Sequence, residues 1–303
     1  MSFSSKIKEE LCGFNENLTD EEQFNILYGM MLFGRSFSFQ KMLLQTEKKF
    51  IADYYAYLAN KLFSIIIEIK RYTSENKKTR TLYTVNIPDS DERKKVLEGF
   101  SYYKEKPPVK INFNILKNKK HTGFFLRGVF LSCGMVINPE KEYHLEFVIS
   151  SQQLCYDLKK ILEKFDINTK VIMRNKAYIL YIKESSAIED LLNVIGAQKA
   201  SFDIMDIKIL KEIKNRANRL TNCETANIDK TVNAAASQIK AIELIKAKKG
   251  FDSLPEDLRE LAELRLENPD MSLRELGARL NSPISRSGIN HRINRLLNIA
   301  KEL

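Results

Sequence analysis

The sequence predicts an α+β architecture in which a tandem repeat of helices and strands precedes a smaller all-helical unit. Two observations carry that prediction. The segment Leu27-Tyr-Gly-Met-Met-Leu-Phe-Gly-Arg-Ser-Phe37 returns about a hundred residues later as Leu126-Arg-Gly-Val-Phe-Leu-Ser-Cys-Gly-Met-Val136, and similar elements follow each copy. From Met205 onward the pattern is almost entirely helical, and 251–303 reads as a compact all-helical unit. The expected organisation is a first repeat over 1–102, a linker over 103–121, a second repeat over 122–204, a basic helical connector over 205–250 and a terminal unit over 251–303.

In the first repeat, Thr19 and Glu22 make a capping-box signature, and Phe24, Leu27 and Met31 follow at helical spacing over 20–33. A strand is expected over 41–48 and a helix over 50–63, with Tyr54, Leu58 and Leu62 on one face. A hairpin over 65–72 and 80–87 follows, turning at 74–78, and a helix closes the repeat near 89–100. The second repeat has the same order. Tyr143, Leu145, Phe147 and Ile149 alternate with polar neighbours as in a half-buried strand. A helix over 152–165 carries Leu154, Leu158, Ile161 and Leu162, a hairpin turns at 174–176, and a helix lies near 186–195. Each repeated segment reads as a short apolar helix with glycine at its third position, Gly29 or Gly128, running straight into a strand.

At 303 residues the chain is long enough for two cores. Its net charge of +10 raises the local concentration of polyanions, with nucleic acid the first class to consider and an anionic membrane surface the second. The lysine-rich composition alone does not decide between a nucleic-acid surface and ordinary solvated charge. Cys12, Cys133, Cys155 and Cys223 form no C-x-x-C pair, and His121, His144 and His291 do not join them, so no zinc site or other cofactor is expected. The thiols suit a reducing compartment. The amino terminus lacks the apolar stretch of a signal peptide, and no apolar run is long enough to span a bilayer. The expected location is the cytoplasm, in association with the nucleoid.

In the terminal unit, Ser253 with Glu256 and Ser272 with Glu275 read as two capping boxes. Pro255 falls in the first turn of one helix, and Asn268-Pro269 stops it. The turn Asn281-Ser-Pro-Ile284 leads into a third helix from Ser285 toward Lys301. Two short helices, a turn and a longer helix are the layout of a helix-turn-helix. On the third helix Ile289, Ile293, Leu296, Leu297 and Ala300 share one side; Ser287, His291, Asn294, Arg295 and Asn298 share the other, Arg292 sits at one edge, Ser285 and Arg286 lie at the helix start, and Asn290 joins these as a candidate. No acid occurs from Ser285 to Lys301. Arginine can grip guanine and asparagine adenine, each with two hydrogen bonds, so these nine residues are the candidate readers of duplex DNA. Lys214, Arg216, Arg219 and Lys230 of the connector are candidate phosphate contacts. The polar stretch 222–233 reads as an interruption of the helical pattern. It serves either as a DNA-contacting hinge or as a tie to the repeats.

The repeated helix ends resemble the LAGLIDADG helices of homing endonucleases. There the helices pack at their glycines and each carries a terminal Asp that holds divalent metal at the scissile phosphates. The resemblance places those Asp positions on Gly34 and Cys133, and the preceding acidic positions on Leu32 and Leu131. It therefore implies a surviving helix interface without a metal site, and no cleavage. Cys133 is then a small packing residue. A saddle-shaped sheet of that family would bring Lys41, Lys48, Lys70, Arg71, Lys77 and Arg80 toward duplex, although solvated positions are the commoner role for such charges.

End to end, the chain resembles the WhiA family of bacterial regulators of sporulation and cell division. The strongest match is Asn218-Arg-Leu-Thr-Asn-Cys-Glu-Thr-Ala-Asn-Ile-Asp-Lys-Thr-Val-Asn233, followed by Gln238-Ile239. Further matches are Arg127-Gly-Val-Phe-Leu131, Tyr143-His-Leu-Glu146, Leu254-Pro255, Ala262-Glu-Leu-Arg265 and Ser287-Gly-Ile-Asn-His-Arg292. Cys133 and Met135 depart from the Gly and Ser expected there. The resemblance implies a LAGLIDADG-like tandem repeat without nuclease activity, joined to a helix-turn-helix that regulates transcription. The expected partner is double-stranded DNA, with RNA polymerase or another regulator as a further one. Two rivals are a residual metal-dependent nuclease and a protein-interaction scaffold.

Overall fold

The structure, a computed structural model, describes residues 1–13, 18–74, 80–103 and 109–303, apart from the side chains of Ser74 and Arg80. The chain divides into two compact units, Met1–Lys211 and Glu212–Leu303.

The first unit opens with α1 (Phe3–Gly13), which shows no clear apolar period in the sequence. Its buried residues Ile7 and Leu11 join the core. Helix α2 (Asp20–Leu32) starts at the expected capping box: Glu22 N–H donates to Thr19 Oγ1 at 3.3 Å, and Thr19 N–H donates to the Glu22 carboxylate at 2.9 Å. The first repeat continues through β1 (Ser36–Phe37), β2 (Met42–Thr46), α3 (Lys49–Phe63), β3 (Glu68–Ser74), β4 (Arg80–Asn86) and α4 (Ser90–Gly99). The second runs through α5 (Lys119–Cys133), β5 (Gly134–Val136), β6 (Leu145–Ile149), α6 (Gln152–Glu163), β7 (Lys170–Arg174), β8 (Ala177–Ile182) and α7 (Ser185–Ile195). The sheet orders, β1-β2-β4-β3 and β5-β6-β8-β7, correspond strand for strand, so the repeat read from sequence is a repeat of topology. In β6 the expected alternation holds only in part: Leu145, Phe147 and Ile149 are buried and Val148 is exposed, but Glu146 is buried too, held by His144 and Arg174.

The repeats meet where α2 packs on α5. A Cβ at Gly29 would lie 2.3 Å from the Phe125 carbonyl oxygen, and one at Gly128 would lie 2.0 Å from that of Ile26. Only glycine permits this backbone-to-backbone approach, so the matched glycines are the closest points of the junction. Around them Leu27, Met30, Phe125, Val129 and Phe130 are fully buried. Arg127, buried on α5, donates from Nε to the Ile195 carbonyl at 2.9 Å and ties the junction to the end of α7.

One element differs markedly from expectation. The basic connector is a single helix, α8 (Gln198–Lys248), which begins before residue 205 and has no break at 222–233. Polar residues there lower helix propensity by only tenths of a kcal/mol each, roughly, and neither proline nor glycine occurs in the stretch, so nothing stops helical hydrogen bonding. The linker is shorter than 103–121, since α5 starts at Lys119 and a short turn occupies Phe113–Ile115. The Pro107-Pro108 pair and part of the 74–78 turn lie outside the described residues.

The second unit packs the end of α8 with α9 (Glu256–Glu267), α10 (Leu273–Arg279) and α11 (Arg286–Lys301). Ile242, Ile245, Leu258, Leu261, Leu276, Ile289, Ile293 and Leu296 form its own core. The capping box at Ser272 and Glu275 is present. The one expected at Ser253 is not: Ser253 Oγ donates to the Gly250 carbonyl at 2.8 Å, and Pro255 occupies the cap position of α9. A tight turn over 251–253 aims the hydroxyl backward, and the fixed φ of proline starts the helix in its place.

Candidate nucleic-acid interface

α10 and α11 are held by a close contact at Gly277. A Cβ there would meet the Ile284 carbonyl oxygen at 2.5 Å, so the intervening turn folds directly onto α10. Ser285 caps α11, its Oγ accepting from Gly288 N–H at 3.3 Å and lying 2.8 Å from Ser287 Oγ. With Ile289, Ile293, Leu296 and Ala300 buried, the opposite side of α11 is turned to solvent. Ser285, Arg286, Ser287, Asn290, His291, Asn294, Arg295 and Asn298 are all exposed on it. Ser285, Arg286, Ser287 and Asn290 line a shallow recess with Leu273 of α10. An uncovered helix of this length, bearing guanidinium, amide and hydroxyl groups, has the dimensions and donors that a major groove accepts.

Arg292 departs from this set. Its side chain is only 23 % exposed, with Nε 3.5 Å from Asp257 Oδ2 and Nη1 donating to the Asp257 carbonyl at 3.4 Å. Arg295 is 45 % exposed and, among the described residues, is tied from Nη1 to Asp257 Oδ2 at 3.4 Å. The sequence of α11 is free of acid, as read, but α9 brings Asp257 to its edge. Packing of one helix on another decides this, and no spacing within α11 signals it.

Arg265, named above only within the Ala262–Arg265 stretch, is structural. It is 2 % exposed, its Nε donates to Gln238 Oε1 at 3.0 Å, and its Nη1 donates to the Met271 carbonyl. Burial lowers its pKa. The three bonded segments are the end of α8, α9 and the loop before α10, so one guanidinium sets the frame that presents α11. Lys214, Arg216, Arg219 and Lys230 are all exposed on α8, and Arg219 donates to the Asn215 carbonyl one turn earlier.

In the first unit, a cleft of about 660 Å³ opens at the ends of α2 and α5. Gly34, Ser132, Cys133 and Gly134 line it, and carboxylates are not among its described lining residues. Cys133 Sγ donates to the Val129 carbonyl at 3.4 Å, and burial pushes its thiol pKa up to about 12, which keeps it neutral. Lys8 of α1 donates to the Leu131 carbonyl at 3.1 Å, and burial lowers its pKa to about 8. His144 lies 3.1 Å from Glu146, which also pairs with Arg174 at 3.2 Å, and His121 lies 3.7 Å from Glu21. Both histidines are thus engaged by carboxylates of the fold. Lys70 is paired with Glu68 at 3.0 Å, while Lys77 and the side chain of Arg80 lie outside the described residues.

Comparison with known proteins bears on this geometry. Residues 122–214 match the model of the WhiA LAGLIDADG-like domain, and residues 217–300 match that of the WhiA C-terminal HTH domain. The protein named "probable cell division protein WhiA" from Clostridium novyi is 39 % identical over 100 % of this chain and 98 % of its own length. That of Clostridium tetani has the same identity and coverage. The chain belongs to the WhiA family. The crystal structure of full-length WhiA from Thermatoga maritima covers 100 % of this chain and 99 % of its own, at 29 % identity and a TM-score of 0.58. The two WhiA domain matches meet between residues 214 and 217, inside α8 and within a few residues of the boundary between the compact units. The WhiA helix-turn-helix match includes α11 up to Ala300 and every candidate reader named above. It also takes in Arg219 and Lys230 of α8.

Proposed function

We propose that this chain is a sequence-specific DNA-binding transcription regulator acting in cell division, chromosome segregation or sporulation, and that it has no nuclease activity. The single observation that carries the first part is the outward face of α11: eight exposed polar or basic candidates, from Ser285 to Asn298, on a helix whose other side is fixed in a core. In this reading Asn290, His291, Asn294 and Arg295 meet base edges, while Ser285, Arg286 and Ser287 hold phosphate at the helix start. Arg292 supports Asp257 from within. Lys214, Arg216, Arg219 and Lys230 add phosphate contacts without reading sequence. Association with the nucleoid follows from DNA binding.

The absence of cleavage rests on Gly34 and Cys133. Phosphodiester hydrolysis at the helix ends needs oxygen ligands for a hard divalent cation. Glycine supplies no side-chain ligand, and a thiol held neutral is a poor one. The names of the relatives support the cell-division role.

The test is selection of bound duplexes from a random DNA library by the full chain, beside the full-length variant with Asn290, Asn294 and Arg295 all replaced by Ala. The wild type is expected to enrich one motif and the variant none, with the variant keeping non-specific binding and its salt dependence. Loss of one connector cation should instead weaken every sequence and reduce the salt slope by about 1. Enrichment of the same motif by the triple variant would refute α11 as the reader, and nicking by the wild type with magnesium would refute the loss of cleavage.

A further inference from the structure

Asp257 lies in the first turn of α9, beside the fully buried Leu258, so packing fixes its place. Its carboxylate reaches across to α11, where Oδ2 lies 3.4 Å from Arg295 Nη1 and 3.5 Å from Arg292 Nε. Among the described residues no other carboxylate pairs with a cation of α11. A carboxylate at the rim of a DNA-facing helix repels phosphate, so attraction to the duplex does not explain it.

The geometry of Arg295 supplies a reason. Arginine carries five N–H donors in a planar fork. Asp257 engages Nη1, and among the described residues no bond is made by Nε or Nη2. Those two nitrogens form the side-on edge of the guanidinium, which matches the O6 and N7 acceptors of guanine. Arg286, at the start of the same helix, is the contrast. It is exposed and, among the described residues, has no partner. A free arginine follows the nearest acceptor, phosphate included. A held one meets the duplex already ordered, with its unused edge left for a base.

We propose that Asp257 is a positioning residue, which holds Arg295 for one guanine and keeps it from the phosphates. This rests on the reading of α11 as the helix that enters the groove. Arg292 is the more buried partner of the same carboxylate, and its loss leaves the tie to Arg295 in place. Ordering a long side chain in advance spares a cost that binding otherwise imposes, about 2- to 10-fold in affinity for the matched duplex. The carboxylate also opposes a swing of Arg295 to the backbone, so random duplex gains no phosphate contact and no counterion release there. Both consequences raise the preference for the matched sequence.

The test uses the full chain and the motif that the wild type selects. Binding to that motif and to random duplex is measured at fixed salt for Asp257→Ala, Arg295→Ala and the two together, and selection is repeated with each single variant. Asp257→Ala is expected to lower the preference about 2- to 10-fold and to relax the motif at one position, a guanine, the same one that Arg295→Ala relaxes. In the Arg295→Ala background it should change nothing further. Asp257→Glu, which keeps a carboxylate within reach, should restore part of the preference. Asp257→Asn has nearly the native shape and should lower the preference even if the alanine variant unfolds. Asp252→Ala removes the same charge just ahead of α9, at a side chain fully in water, and should leave the preference unchanged. A purely structural role for Asp257 would weaken both duplexes alike. That result overturns the proposal, as does a wild-type preference in Asp257→Ala and Asp257→Asn, or a loss that persists without Arg295; each leaves α11 standing as the reader. A motif that Arg295→Ala leaves unchanged overturns the proposal together with the role of Arg295 in that reading.

Discussion

Arg292 and Arg295 stand one turn apart on α11 and share Asp257, yet the proposed function gives them different work. Arg295 has one long contact, at 3.4 Å, and nearly half its side chain is in water. An exposed ion pair of this kind contributes about 0–1 kcal/mol, so Arg295→Ala should lower the Tm of the second unit by no more than a few degrees, roughly. Against DNA the loss is larger. A well-formed arginine–guanine pair is worth about 1–3 kcal/mol of discrimination, so the preference for the selected motif over random duplex should fall by about 5- to 150-fold. Arg292 is more buried and holds both the carboxylate and the carbonyl of Asp257. Arg292→Ala removes those ties and leaves its packing site half empty. That should cost about 1–2 kcal/mol, or about 5–10 °C in a unit of this size, with the preference unchanged once the protein is folded. Thermal unfolding followed by binding to specific and random duplex at fixed salt measures both quantities. Equal loss on the two duplexes for Arg295→Ala, or a lost preference with an unchanged Tm for Arg292→Ala, would refute the assignment.

Two further expectations concern the first unit. A methyl group at Gly128 would sit 2.0 Å from the Ile26 carbonyl oxygen and 2.9 Å from the Met30 nitrogen, so α2 and α5 must part by about 1 Å. Gly128→Ala should therefore lose about 3 kcal/mol or more, roughly 6–12 °C for a unit of this size, and a Tm within about 2 °C of wild type would show that the junction yields. Lys8 has a folded pKa of about 8, below its ordinary 10.5. Between those values the unfolded chain holds a proton that the folded chain has released, so its contribution to stability rises with pH, and below about 8 the burial penalty is present in full. Any Tm advantage of Lys8→Met over wild type should thus shrink from pH 7 to pH 9.5, by about 2–4 °C after allowance for the partial exposure of Lys8. A difference constant across that range would show that Lys8 titrates normally.

Much of the architecture was legible in the chain because the signals are local. Thr19 with Glu22 and Ser272 with Glu275 cap the helices they were expected to cap, and α11 starts beside Ser285 as expected. The match of 27–37 with 126–136, with Gly29 and Gly128 in register, located the repeat, and the resemblance to LAGLIDADG helices singled out Gly34 and Cys133 at the helix ends. Helix α1 was overlooked because its apolar residues, Ile7 and Leu11, are too few to show a period until a core receives them. Similarly, 222–233 read as a break because polarity was taken for irregularity, although a solvated helix needs no apolar face along its whole length.

The sequence by itself determined the order of the elements after α1, the matched glycines of the two repeats and the basic, amide-rich face of α11. Each depends on residue identity at short, regular spacing, and backbone geometry converts such spacing directly into a face or a turn. Only the tertiary structure decided that Asp257 reaches Arg292 and Arg295, that Arg265 bonds Gln238 and the Met271 carbonyl, and that Glu146 holds His144 and Arg174. These contacts join residues on different elements. Their distances are set by how helices and strands cross, and sequence separation does not encode that.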